Sequence, residues 1–144
     1  MSSAELKEVD FSVIKEEYSR FLLDDGTKIK AKIVVRKIFT SIQTTPEGYP
    51  IETGFDVIHI AVAKVPENLK KDPTPQPVIL QNEVGEEIRS VKEEVFEQHY
   101  DTENDFRITI KPVLTKVFRY NKYDMFGDPM YNVSLQQITN IDKL

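Results

Sequence analysis

The sequence predicts a mainly β protein: two related β-rich units, packed as sandwich or barrel halves into one body with one or two short helices. Three observations carry this prediction. The stretches KAKIVVRKIF, beginning at Lys30, and TIKPVLTKVF, beginning at Thr109, read alike, and each leads to a Gly-x-Pro (Gly48-Tyr49-Pro50 and Gly127-Asp128-Pro129). Lys28, Lys30 and Lys32 alternate with Ile29, Ala31 and Ile33, the period-two signature of a strand with one wet face. Finally, KDPTPQP, Lys71 to Pro77, sets three prolines at alternate positions, which holds the backbone extended and removes amide donors. A stiff connector over 72–77 therefore divides a first unit, 11–71, from a second, 78–144.

Laying one half on the other gives an ungapped match at a spacing of 79 residues, from Ile29 over Ile108 to Pro50 over Pro129. Upstream, IKEE at Ile14 matches VKEE at Val91 with a spacing of 77; downstream, a three-residue shift sets Phe55, Val57 and Val65 over Tyr131, Val133 and Ile141. Duplication is one reading of this pattern; the reuse of strand patterns common to β proteins is the other.

Taken in order, Asp25-Gly26 signals a tight hairpin turn, because glycine tolerates the positive φ such turns require. It separates YSRFLL from the strand TKIKAKIVVRKIF. The alternation stops at Val34-Val35 and again at Val113-Leu114, as expected of strands running from an exposed edge into a place covered on both sides. Thr40 to Glu47 and Arg119 to Phe126 read as long connections before GFDVIHIAVAKV and MYNVSLQQITNI. Pro66 introduces a helical turn or two in PENLKK. Residues 86–98 stay open between helix and strand: Ser90-Val91-Lys92-Glu93 has capping-box spacing, whereas its match in the first unit leads directly into a hairpin.

The hairpin LLDDGTKIKAKIVVRKIF, the connection ending in Gly-x-Pro and the strand YNVSLQQI resemble a set of small, uncharacterised archaeal proteins. The resemblance implies no activity and transfers no catalytic or binding residue.

Composition narrows the function classes. The 144 residues include no cysteine, so disulfides, thiolate metal sites and cysteine nucleophiles are excluded. No apolar run approaches a membrane span and MSSAELKEVD lacks the apolar core of a signal peptide; the expected location is the cytoplasm, with no membrane contact. Five glycines never fall in phosphate-loop spacing, and no serine sits in a nucleophile elbow. His59 and His99 are the only imidazoles; His59, in VIHIAV, reads as buried or interfacial, and His99 has no converging ligands. Asp56 is expected to make a hydrogen bond at a turn or strand end. No catalytic residue, metal or cofactor is expected, and an enzyme is the third reading.

Two surfaces remain. Lys28, Lys30, Lys32 and Arg36 form a basic strand face, with Lys64, Arg119 and Lys122 as possible neighbours. Its reading as an anionic-partner site, for nucleic acid or an acidic protein, competes with lysines that merely block edge-to-edge aggregation. The aromatic and basic FRYNKYDMF connection suits either base stacking or packing onto its own sheet. The net charge of −5 disfavours nonspecific nucleic-acid binding, and part of the acidic 83–105 segment is expected near the basic face. Ile58, Ile60 and Val62 are an apolar surplus absent from the second unit, and a homodimer covering them is the expected assembly. The sequence thus commits to a non-catalytic binding or assembly module, with a nucleic-acid-associated protein as the alternative.

Overall fold

The computed structural model describes residues 5–144. Ten strands follow one another: β1 (Leu6–Val9), β2 (Phe11–Lys15), β3 (Ser19–Leu23), β4 (Lys28–Ser41), β5 (Thr53–Lys64), β6 (Glu86–Glu87), β7 (Ser90–Glu94), β8 (Gln98–Thr102), β9 (Phe106–Tyr123) and β10 (Pro129–Lys143). Among the described residues helix is limited to two 3-10 turns, Glu67–Leu69 behind Pro66 and Leu80–Asn82. The strands form two five-stranded antiparallel sheets that pack face to face, giving a sandwich and no closed barrel. The open question over 86–98 resolves as the short strands β6 and β7. Arg119 to Tyr123, expected as connection, continues β9 instead.

Each sheet has a long central strand. In the first, β5 pairs along one side of β4, while β3 and β1 share the other side and β7 lies beyond β3. In the second, β10 pairs along β9, β8 and β6 share its other side, and β2 lies beyond β8. The second strand of each half has therefore crossed into the sheet of the other half.

The two pairing patterns coincide in detail. Phe21↔Ile29 and Tyr100↔Ile108 are separated by 79 residues on both strands, as are Glu8↔Phe39 and Glu87↔Phe118. Arg36 and Thr115, the extra residues of β-bulges in β4 and β9, keep the same spacing. Upstream, the strand ends of β2 and β7 also keep 79: Phe11↔Thr102 matches Ser90↔Leu23, and Lys15↔His99 matches Glu94↔Arg20. Only their unpaired bulge residues, Ile14 and Val91, stand 77 apart, which is the match seen in the sequence. In β5 and β10 the spacing is 78, because Ile29↔Ala63 corresponds to Ile108↔Ile141. Phe55 thus corresponds to Val133, two residues from its sequence-based match.

These equivalences correct two readings. β4 is an interior strand rather than an edge, and its alternation breaks because the bulge at Arg36 resets the faces: Ile29, Ala31, Ile33, Val35 and, after the bulge, Ile38 are all buried. Two clusters form the core, one around Val9, Ile33, Ile38, Tyr100 and Ile108, the other around Phe21, Ile29, Ile88 and Val117. Each draws on both halves, and the 79-residue spacing carries Val9, Ile38 and the Tyr100 pair onto Ile88, Val117 and the Phe21 pair.

Between β3 and β1 one side of β4 has no strand neighbour at Ile33. The side chain of Gln98, fully buried on β8, fills that gap as a surrogate strand: Ile33 N–H donates to its Oε1 at 3.0 Å and its Nε2 donates to Ile33 O. The same amide donates to Tyr100 Oη at 2.6 Å, and Tyr100 donates to Glu16 at 2.8 Å. Burial, reinforced by Glu16, pushes the Tyr100 phenol well above its ordinary pKa. The counterpart of Ile33 on β9 is Pro112, which has no N–H to satisfy, and there the counterpart of Gln98 is the short Ser19. A proline inside a central strand is tolerated because it faces the gap between β8 and β6.

The two hairpin turns pose one further requirement. Gly26 and Asp105 occupy the same place, with φ of 89° and 69°. Gly26→Ala should cost about 1–2 kcal/mol, from the left-handed backbone and a Cβ 3.2 Å from Pro66. Asp105→Gly should be neutral or stabilising by up to about 1 kcal/mol. Urea denaturation of both variants checks the pair, and equal destabilisation by the two would contradict it.

Candidate functional site

The hairpin register brings cations together that lie far apart in the chain. On the outer face of the first sheet one cross-strand row reads Lys92, Leu22, Lys28, Lys64 and the next reads Glu94, Arg20, Lys30, Val62. Strands about 4.8 Å apart and same-face residues about 7 Å apart place five cations and one carboxylate on a small patch. They line an open groove of about 650 Å³ with Leu22 and Val62 on its floor. Among the described residues none of Arg20, Lys28, Lys30, Lys64 or Lys92 has a carboxylate within salt-bridge distance.

The second sheet supplies an internal control. Its corresponding rows are Ser12, Asp101, Arg107, Asp142 and Lys15, His99, Thr109, Asn140. Here two cations face two carboxylates. Arg107 is locked to Asp101 by bonds of 2.7 and 3.0 Å, and that bond, strongest of the influences on it, holds the Asp101 carboxyl below its usual range. His99 bonds Thr109 at 3.1 Å. The same backbone is thus built neutral in one sheet and strongly basic in the other, so the fold itself does not demand the basic groove.

Of the residues singled out in the sequence, Lys28, Lys30 and Lys64 line the groove. Lys32 instead meets Glu16 at 3.5 Å, and Arg36 meets Asp56 at 2.8 Å. Lys30 and Lys32 both lie over the Tyr18 ring, at 4.8 and 4.7 Å. Arg119 and Lys122 are elsewhere, bound to Asp25 and Glu86 and to Glu83, so the FRYNKYDMF segment has no free cation to offer. The acidic 83–105 segment does reach the groove through Glu94, although the same strand adds Lys92. Arg20 and Lys92 were missed. Alternation in SRFLL was enough to place Arg20 beside Lys30, but Lys92 arrives on a strand from the other half.

The second surface is β5. It is the outer strand of its sheet, and among the described residues only β4 pairs with it. Ile58 and Val62 are 42% and 44% exposed, on the outer face with Ile60. His59 points to the other face and is exposed in the single chain, which excludes the buried one of its two readings, buried or interfacial. The structural counterparts of Ile58, Ile60 and Val62 on β10 are Gln136, Ile138 and Asn140.

Asp25, like Asp101 a carboxyl held below its usual range, sits in the first hairpin turn with a side chain only 6% exposed. It accepts from Tyr131 Oη at 2.7 Å, Arg119 at 3.0 Å and Thr27 N–H at 2.9 Å. Burial works against its charge, yet these bonds outweigh it and hold the carboxyl below the usual range. Tyr131 is pushed up to about 12, by burial first and then by Asp25. A carboxylate so fully committed is a poor acid or base, and the arrangement ties the hairpin to β9 and β10. The corresponding contact in the other half is Asn104 to Thr40, at 3.2 Å.

Among the described residues no group of three or more potential ligands is placed to hold a metal, and no helix is long and apolar enough to cross a membrane. No family model, curated protein or solved structure matches the chain.

Proposed function

We propose that the protein is a non-catalytic binding module of the cytoplasm that works as a homodimer and takes an acidic protein segment in the groove formed by Arg20, Lys28, Lys30, Lys64 and Lys92. The charge contrast between matching positions of the two sheets carries this reading: a surface that served only solubility would not need to differ. The shared frame supports an origin by duplication, after which one copy acquired the groove. An extended acidic segment suits it because alternate side chains of a strand repeat at about 7 Å, the spacing of Lys28 and Lys30, while Leu22 and Val62 accept apolar residues between them. Nucleic acid fits less well. Base stacking needs free aromatic faces, and the Tyr18 ring beside Lys30 lies under two lysines.

Poly-glutamate and a single-stranded oligonucleotide of equal charge are the probes. Poly-glutamate should bind more tightly, lose affinity as salt rises, and weaken at least tenfold when Lys28 and Lys30 are both changed to Glu. Lys15→Glu, on the control sheet, should change affinity less than twofold. Tighter binding of the oligonucleotide would replace the acidic segment with nucleic acid, and binding unaffected by the double change would remove the groove from function.

A further inference from the structure

We infer that β5 pairs antiparallel with β5 of a second copy about a twofold axis at Ile60, joining the two first sheets into one continuous ten-stranded sheet. This rests on the homodimer proposed above and names its surface and register.

The edge is available. β5 offers twelve residues, Thr53–Lys64, with no proline and no bulge of its own; the outward backbone groups of such a strand are a template for another strand. Among the described residues no backbone hydrogen bond reaches it from any element but β4.

The occupant follows from the order of side chains on the outer face: Asp56, Ile58, Ile60, Val62, Lys64. In an antiparallel pair centred on Ile60, Asp56 of one copy falls opposite Lys64 of the other, Ile58 opposite Val62, and Ile60 opposite itself. An apolar centre is then flanked on both sides by opposite charges, Asp56 lying between Arg36 of its own chain, at 2.8 Å, and Lys64 of the other copy, and such cross-strand pairs stabilise sheets. On the other face His59 falls opposite Ala61, so the bulkier side chain meets a small one. Shifting the axis by one residue leaves Lys64 opposite Gly54 or Ile58 and Asp56 opposite Val62 or Pro66, so the charge pair is lost in either direction. The equivalent register on β10, centred on Ile138, sets Ser134 opposite Asp142 and Gln136 opposite Asn140, with Ile138 as the single apolar residue of the row and no charge pair. Self-complementarity therefore belongs to β5 alone, and a twofold axis closes the assembly at two copies.

The chain has no cysteine, so single-cysteine variants read the register directly. Directly opposed residues of antiparallel strands have Cα atoms about 4.5–5.5 Å apart, within disulfide reach. Ile60→Cys should give a covalent dimer on mild oxidation. Ile58→Cys should not, because its own copy lies four residues along the strand from the opposed position, roughly 13 Å away. Sedimentation of the wild type should give a dimer, weakened at least tenfold by Asp56→Lys and restored when Lys64→Asp is added. A wild type that sediments as a monomer at all concentrations overturns the interface. A dimer in which Ile58→Cys links as readily as Ile60→Cys, or which the charge exchange fails to restore, overturns the register. Val62 and Lys64 belong to both surfaces, so the proposals are separated by variants outside the overlap: Ile60→Cys reads the interface by cross-linking without any ligand, and the Lys28 and Lys30 exchange reads the groove by poly-glutamate binding.

Discussion

Replacing Gln98 by leucine is expected to lower folding stability by on the order of 2–4 kcal/mol. The loss has a defined origin. Ile33 N–H would keep its buried place on β4 with no partner, Ile33 C=O would retain only the Tyr100 hydroxyl at 3.3 Å, and Tyr100 would lose the donor on its hydroxyl; an orphaned buried group costs about 1–3 kcal/mol. The apolar replacement recovers only part of this. The other half of the molecule supplies a sharper test, since it solves the same geometry with Pro112 and Ser19. In a double-mutant cycle followed by urea denaturation, Gln98→Ser should cost at least about 1 kcal/mol less when Ile33 is already proline, because no N–H then remains to be orphaned. Additive costs would show that the Gln98 amide is not serving the Ile33 N–H.

Asp25→Asn should cost about 2–3 kcal/mol near neutral pH and flatten the acid limb of the stability profile. The carboxamide cannot accept from Arg119, Tyr131 and Thr27 as the carboxylate does, and breaking one member of a buried charge pair leaves the other uncompensated. The sign of the pH effect follows from the depressed carboxyl. Its stabilisation is present above the ordinary carboxyl value of 3.8 and is lost as pH falls through the lower, folded value. Denaturation midpoints between pH 6 and pH 2 in wild type and variant should therefore converge at the acid end. Parallel curves would remove Asp25 as the source.

The hairpins, the central strands and the likeness of the two halves are legible because turn glycines and period-two alternation are local properties. The register of that likeness is less so. The third-strand match set Phe55 on Tyr131, two residues from its structural counterpart Val133, and a slip of two leaves every side chain on its proper face. Alternation cannot detect such an error. The exchange of β2 and β7 is hidden for a related reason: a short strand carries a pattern for one face but none for the identity of its neighbour. The candidate groove was half visible. Lys28 and Lys30 announce themselves on one strand, while Arg20 and Lys92 join them only through pairing, and Lys32 and Arg36 are withdrawn by acids, Glu16 and Asp56, that no local pattern links to them. Of the two readings of His59, burial fails because an apolar neighbourhood in sequence, VIHIAV, need not be covered in space when its strand lies at a sheet edge.

The crossing of β2 and β7 also governs how this chain emerges during synthesis. β2 is made well before its partner β8, so Phe11 waits for Thr102. The cluster that holds Val9 and Ile33 is likewise incomplete until Tyr100, Ile108 and Ile110 have been added. At about 5–20 residues per second, the first half spends several seconds outside the ribosome with β3, β4 and β5 able to pair but with one face of that sheet uncovered. During that interval on a polysome, the nascent β5 edges of neighbouring chains are free to find each other before either sandwich has closed.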